Sequence, residues 1–81
     1  MKKRCVIDGI LVENPQKNLP QVNDILNEFR EIVKGQITLP GFLEHQTAIA
    51  LITYITTDEI GALNGKLGKI EQVKVKSVIP K

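Results

Sequence analysis

The sequence predicts an α+β protein of ferredoxin-like type, β-α-β-β-α-β, and three observations lead there. Two stretches, "RCVIDGILVE" (4–13) and "QTAIALITYIT" (46–56), are β-branched and apolar over the length of a strand. From Leu19 onward, Val22, Ile25, Leu26, Phe29, Ile32 and Val33 recur at spacings of three and four, the period of one helix face. A second helical segment, "TTDEIGALNGKLGKI" (56–70), opens on Thr56 and Glu59 at capping-box spacing.

In chain order, strand one closes at the turn signal "ENPQKN". Helix one takes Asn18 as its N-cap, with Pro20 tolerated in the first turn, and Gly35 ends it. "QITLPG" (36–41) is short, alternating and carries a proline, which suits an edge strand. Strand three follows the turn "FLEH" and is apolar on both faces through Ala48, Ile49, Ala50, Leu51, Ile52, Tyr54 and Ile55, so it needs cover on both sides. In "QVKVKSVIP" (72–80), Val73, Val75, Ser77 and Ile79 alternate with Lys74, Lys76 and Val78, and lysines on one face suit an edge.

Connections this short make one four-stranded antiparallel sheet, order 4-1-3-2, backed by two helices the economical solution, a single domain over 1–81. Strands one and three are then central. With both helices on one side, Val6, Ile10, Val12 or their neighbours stay wet on the other unless something covers them. A second subunit is the expected cover, which makes the chain itself the first expected partner. An 81-residue chain also lies near the lower limit of what is stable alone.

Composition narrows the functional classes. With 42% hydrophobic and 25% charged residues, two Phe, one Tyr and no Trp, the chain reads as an aliphatic globular domain. A net charge of +2 implies no polyanionic partner by itself. Cys5 is the only cysteine, so neither an intrachain disulfide nor a cysteine metal cage can form, and a reducing, cytoplasmic location is expected. "MKKRCVIDGILVENP" reads as a strand and not as a leader, since Asp8 interrupts its apolar run. No apolar run approaches the roughly 20 residues needed to span a membrane.

The glycine-rich helix is not a phosphate loop. A Walker loop needs four residues between its glycines and a hydroxyl after the lysine, whereas "GALNGKL" has three and places Leu67 there. At about 100° per residue, Ile60, Leu63, Leu67 and Ile70 form a core stripe, and Gly61, Gly65 and Gly68 cluster roughly 145° away. Interior helical glycines each cost about 0.5–1 kcal/mol relative to alanine. Either a ligand, loop or subunit comes close to that backbone, or Gly68 is a C-terminal cap and the other two are tolerated.

Asp8 is the odd polar residue of a central strand: a satisfied or rim-exposed carboxylate, or a ligand contact. His45, the only histidine, has no ligating companion in its own chain, so it binds a metal only if copies share a site. No pair of residues reads as acid and base or as nucleophile and base, so no enzyme and no cofactor are expected. A nucleic-acid edge is the alternative, with Lys2, Lys3 and Arg4 beginning strand one, Lys74 and Lys76 on its neighbour, and Lys66 and Lys69 leading into it. RNA-recognition modules of this topology need stacking aromatics on strands one and three, and only Tyr54 is available. An enzyme built across subunits is the remaining alternative.

The stretch "TTDEIGALNGKLGKIEQVKVKSV" resembles the C-terminal half of the iron-only hydrogenase system regulator family, and "VIDGILVE" resembles its opening. The resemblance implies a fold like that of ACT domains and of the C-terminal domain of the nickel-responsive regulator, which pack sheet on sheet as dimers and tetramers. It further implies a regulatory or ligand-sensing homo-oligomer, linked to hydrogenase maturation or expression and taking a small-molecule effector. "GQITLPGFLEHQTAIAL" departs from the family: an arginine is expected near Gln36, and a Tyr-Arg-type turn where Phe42 to His45 stand. The nickel regulator's metal histidines and its DNA-binding domain have no counterpart.

Overall fold

The structure is a computed structural model that describes residues 2–80. Its elements are β1 (Arg4–Glu13), α1 (Pro15–Glu28), β2 (Val33–Leu43), β3 (Gln46–Ile55), α2 (Thr57–Gly68) and β4 (Val73–Val78). All strand pairings are antiparallel and the sheet order is β2-β3-β1-β4, which is the expected 4-1-3-2 read from the other side.

Burial alternates along both central strands. Val6, Asp8, Ile10 and Val12 of β1 and Thr47, Ile49, Leu51, Thr53 and Ile55 of β3 are buried. Residues directly opposite in an antiparallel pair share a face, and Val12 is opposite Thr47, Ile10 opposite Ile49, Asp8 opposite Leu51. Val22 and Leu26 of α1 and Leu63 and Leu67 of α2 close this face, with Ile70 and Val73 completing the core. The threonines cost nothing in unpaired groups where they bond the backbone: Thr53 Oγ1 donates to the Val6 carbonyl at 3.1 Å.

α2 starts as the sequence predicts. Thr56 is its N-cap, Oγ1 accepting from the Glu59 amide at 3.2 Å while Glu59 Oε1 accepts from the Thr56 amide at 2.9 Å. Those bonds, the Thr56 backbone N–H foremost, hold the Glu59 carboxyl below its ordinary 4.5. A lowered folded-state value favours the fold above the unfolded value, so the cap's pH-dependent part is complete above about pH 4.5 and lost as pH falls through the folded value. Thr56→Ala is expected to cost about 1 kcal/mol in urea unfolding at pH 7 and to shrink that acid dependence.

α1 differs from expectation at both ends. It begins at Pro15, whose missing N–H is harmless at a first helical position, behind a left-handed Asn14 (φ 51). Asn18 is therefore inside the helix and does not cap it. It is buried, and its amide donates to the Glu13 carbonyl at 2.7 Å and to Gln72 Oε1 at 3.3 Å, tying the first turn to the ends of β1 and the α2–β4 connection. Pro20 consequently lies within the helix body. The helix stops at Glu28, so Gly35 is not its end. Gly35 belongs to β2, beside a register shift between Val33 and Gly35 where the strand bulges. β2 is correspondingly longer than the expected 36–41.

Candidate functional site

Four features bear on function, and the largest is the sheet face away from the helices. In three cross-strand rows it presents Gly35, Ile52, Ile7 and Val78; then Ile37, Ala50, Gly9 and Lys76; then Leu39, Ala48, Leu11 and Lys74. Cys5 pairs with Tyr54 beyond the first row. Ile37 is 62% exposed, Val78 57%, Leu39 and Tyr54 50%, Ile52 47%. The residues left wet are thus the neighbours of Val6, Ile10 and Val12, which themselves lie under the helices. The middle row is the low one: Ala50 and Gly9 form a shallow floor between bulkier rows, and an added Cβ at Gly9 would meet nothing within 4 Å. Such relief admits a facing layer at the roughly 10 Å spacing of packed sheets. Phe42 and Leu43, beside the β2–β3 turn, are exposed as well.

The second feature is Asp8. It is fully buried on the helix side of β1, not at the rim. Its carboxylate Oδ1 accepts the Ser77 hydroxyl from β4, and Ser77 Oγ accepts from Asn64 Nδ2 of α2 at 2.6 Å. Burial pushes the Asp8 carboxyl above its ordinary 3.8, against the opposing pull of Ser77. Ser77 and Asn64 were not expected at a site. In the sequence Ser77 only shares the alternation of Val73, Val75 and Ile79 against Lys74, Lys76 and Val78.

The glycine stripe of α2 is exposed. A Cβ at Gly61, Gly65 or Gly68 would meet nothing within 4 Å, so among the described residues no part of the chain approaches that backbone. A loop of the same chain is thereby ruled out as the close neighbour. Gly68 is the last helical residue and Lys69 the C-cap, in right-handed conformation, so Gly68 does not serve as a left-handed cap.

The fourth feature lies at one end of the sheet. A depression of about 330 Å³ is lined by Glu13, Asn14, Glu44, His45, Gln46 and Gln72. Asn14, His45 and Gln72, the described non-glycine residues with positive φ, all meet there, and the Asn14 amide donates to the His45 carbonyl at 2.9 Å. His45 Nε2 stands 3.5 Å from Glu44 Oε1 on an exposed turn. Among the described residues, no three His, Cys, Asp or Glu side chains stand close enough together to hold a metal ion.

Arg4, Lys74 and Lys76 are spread along β1 and β4. Lys76 and Lys74 pair with Gly9 and Leu11, whereas Arg4 lies five residues back along β1, roughly 17 Å at strand rise, with Ile7 and Val78 between. Lys66 is engaged with Glu28 and lies over the Phe29 ring at 5.6 Å. No described helix is long and apolar enough to cross a membrane.

A four-stranded antiparallel sheet with two helices on one face, its other face apolar and open, defines an α+β protein of ferredoxin-like fold. Residues 4–77 match the family model described as "TM1266-like: Iron-only hydrogenase system regulator, putative", and the chain belongs to that family. Among solved structures it is similar to uncharacterized protein TM1266 from Thermotoga maritima, with 40% sequence identity, 99% of this chain and 100% of that chain covered, and a TM-score of 0.93. Comparison with curated proteins gave no match.

Proposed function

We propose that this chain is a non-enzymatic regulatory module that acts as a homo-oligomer in the cytoplasm, a second copy closing over the open sheet face, as in ACT-like assemblies. The observation that carries the reading is that face: three rows of side chains, apolar except for two bordering lysines, on a chain too small to leave such a surface wet without cost. The family's description as regulators of the iron-only hydrogenase system supports the role. An effector or partner protein would act by binding one arrangement of subunits better than another, since only differential affinity shifts an equilibrium. Gly61, Gly65 and Gly68, bare and facing outward, offer such a partner direct access to helix backbone.

Light scattering tests the assembly. A mass of two or four times 9.0 kDa at micromolar concentration is expected, and a clean monomer there overturns the reading.

A further inference from the structure

The hydrogen-bond capacity of the Asp8 network leads beyond assembly. The Ser77 hydroxyl has one proton, and it goes to Asp8 Oδ1; the Asn64 amide nitrogen donates to Ser77 Oγ. Two atoms are left over, Asp8 Oδ2 and Asn64 Oδ1. Both are buried, both accept, and no donor of the described chain reaches either. They are also the two ends of the same three-residue chain of bonds. A buried acceptor without a donor forfeits its hydration with nothing in return, so a pair of them in one network marks a missing donor.

The surroundings decide what that donor is. Toward Asp8 the sheet presents Val6 and Ile10 from β1, Leu51, Ile49 and Thr53 from β3, and Val75 and Ser77 from β4, all neutral. α2 contributes the neutral Asn64, and its inward side is Ile60, Leu63 and Leu67. No titratable or charged side chain faces the carboxyl from any of these elements, and none of the influences on it is a neighbouring charge. A bound water alone would satisfy the two acceptors but leave a full charge buried without a counter-ion, which is far costlier than a neutral acid.

We propose that Asp8 is a proton-binding site: its carboxyl is kept as the neutral acid, with the Oδ2 hydroxyl donating to Asn64 Oδ1 directly or through one bound water. The result is a closed ring, Asn64 to Ser77 to Asp8 and back, joining α2, β4 and β1. Loss of the proton opens the ring and strands both acceptors. The elements so loosened are β4, which borders the open sheet face, and α2, which carries the glycine stripe. Proton binding therefore couples to the two surfaces available to partners.

For a carboxyl raised on folding, the stabilising contribution is complete below the unfolded value near pH 3.8 and is lost as pH rises through the folded value. Each unit of separation makes unfolding about tenfold more favourable at high pH. The test is a carbon-detected NMR titration of the Asp8 carboxyl in the wild-type protein, joined to denaturant unfolding between pH 4 and 8 of wild type and Asp8→Asn. Asparagine keeps the shape, places an N–H where the acid's O–H is inferred, and does not titrate. The expected result is a carboxyl titrating above its ordinary 3.8, and a variant that lacks the wild type's loss of stability toward pH 8. A carboxyl titrating at or below the ordinary value overturns the proposal, whether or not the variant folds. So does a folded variant with the wild type's pH dependence.

Discussion

Ile52→Asp is expected to hold the protein at monomer mass under conditions where the proposed assembly forms. Ile52 occupies the middle of the first row of the open face, between Gly35 on β2 and Ile7 on β1, and is 47% exposed in the single chain. Half-exposed in the monomer, it can be exchanged for a polar residue at a modest cost, on the order of 1 kcal/mol for a poorer strand former. In a face-to-face assembly the same position is buried in both copies, because a two-fold interface uses one patch twice. An unpaired carboxylate there loses its hydration and finds no cation, at several kcal/mol per copy. Since about 1.4 kcal/mol is a factor of ten, the dissociation constant should rise by a hundredfold or more. Sedimentation or light scattering across the micromolar range reads this directly, with far-UV circular dichroism to show that the monomer stays folded. An unchanged mass and dissociation constant would place the interface elsewhere, on the glycine stripe or the β2 edge.

How much of this surface was legible from sequence depends on parity. β1 is apolar at even and odd positions alike, and so is β3; the expectation of cover on both sides follows from that, and the structure gives helices on one side and an open face on the other. The same feature hides which face Asp8 takes. With Val6, Ile10 and Val12 on one parity and Cys5, Ile7 and Leu11 on the other, neither choice is excluded by hydrophobicity, and only the packing of α1 and α2 decides it. Ser77 and Asn64 become partners of Asp8 through the β1–β4 register and the angle of α2, both long-range quantities. The errors at α1 are local in origin. Spacing of three and four continues from Leu26 through Phe29, Ile32 and Val33, but the last two lie in a turn and the start of β2, and no glycine or proline marks Glu28 as the end. At the start, Asn14-Pro15 has the look of a turn and Asn18 that of a cap, whereas Pro15 opens the helix and Asn18 spends its amide on Glu13 and Gln72. Thr56 and Glu59, by contrast, satisfy one another within four residues, so α2 could be placed from sequence alone.

Leu63→Ala is expected to remove a large part of the protein's stability, while Gly61→Ala, on the other side of the same helix, is expected to add some. Leu63 is fully buried and packs into the cluster of Ile10, Val12, Leu51 and Leu67 between α2 and the sheet. Truncating a leucine in such a place costs the transfer free energy of the lost methyl and methylene groups plus that of the cavity, about 2–5 kcal/mol together. A domain of this size has a total of only about 4–12 kcal/mol, so the loss approaches unfolding at the lower end. At about 4–8 °C per kcal/mol, the midpoint should fall by at least about 8 °C. Gly61 has the opposite surroundings: its added methyl would meet nothing within 4 Å in the chain, so alanine gains about 0.5–1 kcal/mol of helix propensity with no steric penalty. The pair separates two meanings of the glycine stripe. Thermal unfolding at a concentration low enough to populate the monomer should show the gain at Gly61; a loss that appears only where the protein is assembled means that a neighbouring subunit lies against the bare backbone. A Leu63→Ala protein with wild-type stability would mean that α2 does not close the core as described.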